Sequence, residues 1–260
     1  LQIGVASELL RSVPLPKVID QVAAAGFTAI EVWVDHWRQS GLKPKQLLRC
    51  LRASGLEWSM HADARDVNLI STNKGICLES IKQTKETIRL AAAVEARVLT
   101  IHPGRLSSTK DRPEDFWPQQ IEVFQHLAQM AAAAGVQLGV ENMEPRPGEL
   151  IVRLADMQRL LGEVDSPNLG STLDLAHLYG QTGIEEFAAK VPRLVNVHLS
   201  DARPGYCHLP LGQGNLEYSR LLDALDSRYR GFVILEGFSH ELAFEILPYL
   251  HGKWQEHLRL

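Results

Sequence analysis

The feature that leaves this chain the fewest folds to choose from is an eightfold alternation of short β-branched or apolar runs with longer stretches of helical periodicity. The spacing predicts strands at Ile3–Ala6, Ala29–Val34, Glu57–His61, Val98–His102, Gln137–Glu141, Leu169–Asp174, Val195–Leu199 and Phe232–Glu236. It predicts helices at Pro16–Ala25, Pro44–Ser54, Gly75–Ala93, Pro113–Ala134, Glu149–Leu161, Ile184–Lys190, Leu216–Ser227 and His240–Leu258. Proline near the first turn and glycine just past the last, as at Gly26, Gly55 and Gly135, punctuate several of them. Strands followed by helices in this rhythm build a parallel sheet. With eight units and no linker or composition shift, the expected architecture is a single α/β domain over residues 1–260, a closed (β/α)8 TIM barrel, with a doubly wound open sheet as the alternative.

At 260 residues and 45% hydrophobic content, the chain can bury one core of that size. Its formal charge of −4, from 27 basic and 31 acidic side chains, supplies no global positive field. That argues against a nucleic-acid partner, while leaving room for a local basic groove. Cys50, Cys77 and Cys207 are odd in number, far apart and form no C-x-x-C pair. A disulfide framework or cysteine zinc site is therefore not expected, and a reducing, cytoplasmic setting is. No uninterrupted apolar run approaches the ~18 residues of a membrane span.

A barrel makes a sharp demand: chemistry belongs at the carboxyl ends of the strands, where the βα loops gather. The third strand ends in SMHAD with His61, the fourth in TIHPG with His102, the fifth in GVEN with Glu141 and the sixth in TLDLAH with Asp174 and His177. The seventh gives VHLSD with His198, its loop carries His208, and the eighth gives ILEG with Glu236. Any one of these reads as readily as a cap or a satisfied polar group. Together at one mouth they would repel, or resist burial, unless a cation neutralised them. Imidazole with carboxylate suits Zn2+ or Mn2+, with Mg2+ and Co2+ also admissible, and the lack of a cysteine pattern favours a catalytic metal with open positions.

Taken in order, HAD followed by VNL, then IHPG, VEN, LDLAH, VHLSD, HLPLGQG and ILEG resemble the xylose isomerase-like TIM barrel superfamily of sugar isomerases, ketose epimerases, inosose dehydratases and endonuclease IV-like enzymes. The resemblance spans essentially the whole chain, and its most specific part is HxxD followed by LGxG with Asp-x-x-His one strand earlier. It implies that Glu141, Asp174, His198 and Glu236 hold a divalent metal and that Glu141 and Glu236 are the catalytic pair. The implied activity is isomerisation or epimerisation of a small sugar, sugar acid or sugar phosphate by proton transfer through a metal-bound enediolate. It also places His61, His102, His177 and His208 where endonuclease IV-like enzymes carry further zinc ligands, although Tyr206 stands where that pattern has an aspartate. These four histidines are thus either additional metal ligands or groups that bind substrate hydroxyls or phosphate. The alternative function is a zinc phosphodiesterase with a two- or three-metal cluster.

Further candidates for substrate binding are Arg105 after HPG, Arg203 in the loop after the seventh strand, Asn142 beside Glu141, and Trp33 as an aromatic floor for a sugar face. Asp201 either orients His198 or caps its own loop. Glu31, inside the second strand, is placed to point into the barrel, with plain core packing as the other reading. Asn68 and Ser71-Thr72-Asn73 read as capping residues or a phosphate cradle. In the final helix, Phe244, Leu247, Leu250 and Trp254 form an apolar stripe that closes the barrel or seats a second copy in a homo-oligomer.

Overall fold

A computed structural model describes residues 1–226, 229–237 and 244–257. Strands β1 (Gln2–Ala6), β2 (Ala29–Trp33), β3 (Glu57–His61), β4 (Val98–Ile101), β5 (Gln137–Glu141), β6 (Leu169–Asp174), β7 (Leu194–Leu199) and β10 (Phe232–Leu235) pair in parallel and close in the order β1-β10-β7-β6-β5-β4-β3-β2. The open-sheet alternative is thereby excluded. Outside the barrel stand α1 (Leu15–Ala24), α3 (Pro44–Ser54), α4 (Lys74–Ala93), α5 (Pro113–Ala134), α6 (Leu154–Val164), α7 (Ile184–Lys190), α8 (Tyr218–Asp226) and α9 (Ile246–His257).

Both faces of the strands are covered, the outer by the helices and the inner by the side chains that fill the barrel. One set of alternate residues, including Val32, Met60, Leu99, Ile101, Leu138, Leu173, Val197 and Leu235, packs under the helices in the main core. The other set fills the barrel: Glu31, Ser59, Thr100, Thr172 and Asn196 are polar and fully buried, while Ala6, Ala29, Trp33, Phe232 and Ile234 form a second, apolar cluster. Thr100 Oγ1 meets Thr172 Oγ1 at 3.0 Å and Asn196 Nδ2 at 3.1 Å. Two residues beyond Ser59, Thr100, Thr172 and Asn196, the same period of two delivers His61, His102, Asp174 and His198 to the mouth, and on β5 it delivers Glu141 two residues beyond Gly139.

Three elements depart from the sequence reading. Residues after β2 form α2 (Val34–Ser40), closed by Gly41 at φ 67°, so His36 is a structural residue with its ring nitrogens 3.0 and 2.9 Å from the carbonyls of Ser7 and Val13. The loop after β7 is an antiparallel hairpin of β8 (Asp201–Arg203) and β9 (Tyr206–Leu209), turned by Pro204 and by Gly205 at φ 77°. The helix expected from Glu149 starts only at Leu154, because Glu149 bridges Arg105 and the Ile151 carbonyl accepts from the Met143 amide. The expected start of the last helix, residues 240–243, and its last residue, 258, lie outside the described residues. Leu247, Leu250 and Trp254 of its apolar stripe are buried against the body, so the stripe closes the barrel. Among the described residues, no helix is long and apolar enough to cross a membrane.

Candidate metal centre at the mouth of the barrel

Glu141, at the end of β5 and 2% exposed, is the junction of the site. Its Oε1 lies 3.2 Å from His198 Nδ1; its Oε2 lies 3.3 Å from His61 Nε2 and 3.1 Å from His102 Nε2. Glu236 Oε2 approaches the same His198 Nδ1 at 3.3 Å. Two sets of donor atoms therefore share Glu141: one from Glu141, Asp174, His198 and Glu236, the other from His61, His102 and Glu141, with the atoms of each set within 4.8 Å of one another.

Backbone carbonyls select the tautomers. His61 Nδ1 sits 2.7 Å from the Ala62 carbonyl and His177 Nδ1 sits 2.6 Å from the Asn142 carbonyl. A carbonyl only accepts, so each Nδ1 carries the proton and each Nε2 turns a lone pair to the mouth. Asn142 does not face a substrate. Its side chain accepts from the Asp174 amide at 2.8 Å and donates to the Asp174 carbonyl at 3.0 Å, which fixes the end of β6.

The electrostatics are those of a site short of positive charge. Burial pushes the Glu236 carboxyl well above its usual range, with Glu141, Asp174 and Glu31 adding to the rise and His198 opposing it. Burial also raises Asp174, and tends to raise Glu141, but there the neighbouring His198 and His102 prevail and hold Glu141 well below the ordinary value. Burial opposes the charge of His198, yet Glu236, Glu31 and Glu141 outweigh it and lift its pKa well above the usual range. Asp174 Oδ2 and Glu236 Oε1 are buried without a hydrogen-bond partner. Orphaned carboxylate oxygens beside an imidazole are what a divalent cation satisfies, so the donor set fits such an ion.

Beside this centre, the hairpin returns His208 over the mouth with its backbone at φ 57°. His208 Nε2 is 3.0 Å from His177 Nε2, and Glu144 Oε1 is 3.9 Å from each of those nitrogens. Burial is the main cause that keeps His208 neutral, with its pKa lowered to about 4. Tyr206 is 60% exposed, and the carboxylates near the two histidines are those of Glu144 and of Asp174, whose Oδ2 is 3.8 Å from His177 Nε2 and 3.9 Å from His208 Nδ1. Glu144 and Cys207 escaped the sequence reading, since their place depends on how the β5 loop and the hairpin fold against each other.

A cavity of about 660 Å³ opens above the centre, lined by Trp33, His61, His102, Glu141, His177, His208 and Glu236, with Arg65, Arg105 and Arg146 among its outer residues. Trp33 stacks on His61 with ring centroids 4.0 Å apart. Arg105 lies at this rim, whereas Arg203 packs over Tyr206 beside a smaller cavity of about 210 Å³. Asp201 caps its own loop. Its carboxylate accepts from the amides of Ala202 and Leu216 on one oxygen, and of Gly212 and Gly214 on the other, at 2.8–3.0 Å. A side chain on Gly214 would collide with that carboxylate, which explains the glycine of LGxG. Asn68 likewise braces loops, its side chain accepting from the Arg105 amide and donating to the Arg105 carbonyl, and Asn73 caps α4.

A closed parallel barrel whose strand ends deliver two glutamates, an aspartate and histidines to one open cavity defines a class of barrel enzymes with a polar centre at the carboxyl face. The chain belongs to the xylose isomerase-like TIM barrel family, whose profile matches residues 19–260. It is 24% identical to the 3-dehydroshikimate dehydratase of Bacillus anthracis, over 83% of this chain and 82% of that protein. It is 22% identical to the fructoselysine 3-epimerase of Shigella flexneri, over 86% of this chain and 85% of that protein. Among solved structures, a D-tagatose 3-epimerase-like protein superposes with a TM-score of 0.87 at 22% identity, covering 100% of this chain and 97% of that one.

Proposed function

We propose that this protein is a metal-dependent isomerase or epimerase of a small sugar, sugar acid or sugar phosphate. The observation that carries the reading is the placement of two buried glutamates, Glu141 and Glu236, with their carboxylates 3.2 and 3.3 Å from one imidazole nitrogen at the floor of an open cavity. Glu141, Asp174, His198 and Glu236 would hold the ion, with Zn2+ or Mn2+ suiting the donors best. When bound, a divalent ion supplies Lewis acidity to a carbonyl and its neighbouring hydroxyl, which acidifies the carbon-bound proton between them. One glutamate takes that proton and the other returns one, so the configuration at carbon is reset without loss of atoms. In the metal-free chain, His198 and His102 hold the Glu141 carboxyl well below its usual range while burial pushes Glu236 well above it, so the two glutamates differ in their hold on a proton.

His61 and His102 present Nε2 toward the Glu141 carboxylate, where they bind substrate hydroxyls or a second ion, and Trp33 backs His61 as a flat wall. Arg105 stands at the outer end for an anionic group. That the relatives include a fructoselysine 3-epimerase and a 3-dehydroshikimate dehydratase supports a reading within this class of chemistry. The test is product analysis of a ketose panel, neutral and phosphorylated, with protein loaded with Mn2+, Co2+ or Zn2+. Formation of an epimer or an aldose is expected, and inertness toward the whole panel counts against the reading.

The grouping of Glu144 with His177 and His208 favours a second reading, a polynuclear zinc phosphodiesterase. Zinc content separates the two: one tightly held ion, with a weaker second, accords with the isomerase, and three tight ions with the hydrolase.

A further inference from the structure

We propose that Glu31 is a positioning residue that acts through His198, fixing which ring nitrogen faces the centre and so setting its affinity for metal. The inference rests on the reading of His198 as a ligand and goes beyond it, because Glu31 stands one layer below the mouth and outside the cavity lining.

Glu31 belongs to β2, and His198 to β7 on another side of the barrel, so the contact crosses the interior. Glu31 and His198 are both 0% exposed. Glu31 Oε2 accepts from Ser59 Oγ at 2.8 Å and from Asn196 Nδ2 at 2.7 Å. Its Oε1 stands 3.0 Å from His198 Nε2 as a charge contact outside hydrogen-bond geometry, and Asn196 Nδ2, which donates to Glu31 Oε2 and Thr100 Oγ1, lies 3.2 Å from the same nitrogen. On the far side of the same ring, Nδ1 is 3.2 Å from Glu141 and 3.3 Å from Glu236. The imidazole is thus held between a carboxylate that does not reach the cavity and two that do.

The consequence is chemical. A neutral imidazole keeps one proton, and a carboxylate below the ring draws it to Nε2, leaving the Nδ1 lone pair among Glu141, Asp174 and Glu236. A carboxylate partner also makes the ligating nitrogen more basic and holds the ring in plane with its target. A buried carboxylate costs several kcal/mol unless paired, and Ser59 and Asn196 satisfy only one of its two oxygens. The other is directed at His198.

Glu31→Gln separates this role from packing, because size is conserved while the amide has one acceptor. If the amide oxygen serves Ser59 and Asn196, its NH2 faces Nε2 and drives the proton to Nδ1, into the ligand position. Binding of Zn2+ and Co2+ to the purified full-length protein and to Glu31→Gln is measured by calorimetry and chelator competition, alongside NMR detection of imidazole protons in the zinc-loaded protein. The expected result is a cooperatively folded variant whose affinity is about 10- to 100-fold weaker, the range seen when such partners of ligating histidines are removed. The loaded wild-type protein should show a slowly exchanging His198 Nε2–H that the variant loses. Equal affinities, or a loaded wild-type ring without a proton on Nε2, overturn the role of Glu31 while leaving the metal reading intact. A wild-type protein that binds neither ion overturns both. Should Glu31→Gln fail to fold, Ser59→Ala loosens the same carboxylate without changing charge: a 2- to 5-fold loss of affinity is expected, and no loss contradicts the assignment.

Discussion

The two ends of the barrel are made from the same strands and treat charge in opposite ways. Where the strands begin, Arg97 pairs with Glu57 at 3.0 Å and Arg52 with Glu95 at 2.6 Å, all four side chains more than half exposed. Where they end, Glu31, Glu141, Asp174, His198 and Glu236 are at most 2% exposed. Exposed pairs are worth roughly 0–1 kcal/mol and can come and go. Buried charges cost stability, so a fold that gathers five of them keeps them for chemistry. One end of this molecule is solvated surface, and the other is a reaction centre that the core tolerates.

The largest expected effect follows from removing one of the proton-transfer groups. Glu236→Gln and Glu141→Gln should each lower turnover by at least about 10³-fold, within the span of general acid–base contributions, while circular dichroism stays native. Near-wild-type turnover in either variant breaks the proposed roles. Next in size is metal removal: dialysis against a strong chelator should abolish activity and lower the melting temperature, since an ion bound only by the folded state stabilises it. Activity that survives in metal-free protein would contradict the centre.

A third effect is a proton count. In the metal-free chain Glu236, Glu31 and Glu141 outweigh burial and lift the pKa of His198 well above the usual range, and Glu236 is itself raised toward its acid form. Metal binding must displace such protons, so calorimetry in buffers of different ionisation enthalpy should report release of at least about one proton per ion, and affinity should fall as pH is lowered. Binding without proton release would mean that His198 is already neutral. The smallest effect belongs to the other end of the barrel. Arg52→Ala should change stability by less than ~0.5 kcal/mol and leave turnover unchanged. A large loss there would erase the contrast between the two ends.

The barrel was legible in the sequence because short β-branched or apolar runs alternate eight times with helical stretches; β3, β5 and β6 end where the residue pattern ends. The candidate ligands were legible too, since an ionisable residue closing such a run has only the mouth to point into. The α2 helix was hidden in WVDHW, whose large side chains carry no clear helical stripe. The β8–β9 hairpin has strands of three and four residues, too short for alternation to register. Asn142 looked like a substrate contact, and Asp201 like either a partner of His198 or a cap, because polar residues beside candidate ligands invite those readings. Their amide and carboxylate are instead spent on backbone groups of β6 and of the loop after β9. Glu144 carried no periodic signal, since a loop residue is placed by its fold and not by its spacing.

Glu141 and Glu236 are proposed to move a carbon-bound proton at a metal-loaded mouth. The direct measurement is proton NMR of ketoses, with and without a phosphate, incubated in D2O with the metal-loaded protein and with Glu236→Gln. Deuterium entering the carbon beside the carbonyl with the wild-type protein, and not with the variant, is the predicted result. Loaded protein that exchanges no carbon-bound proton but cleaves a phosphodiester would contradict the account.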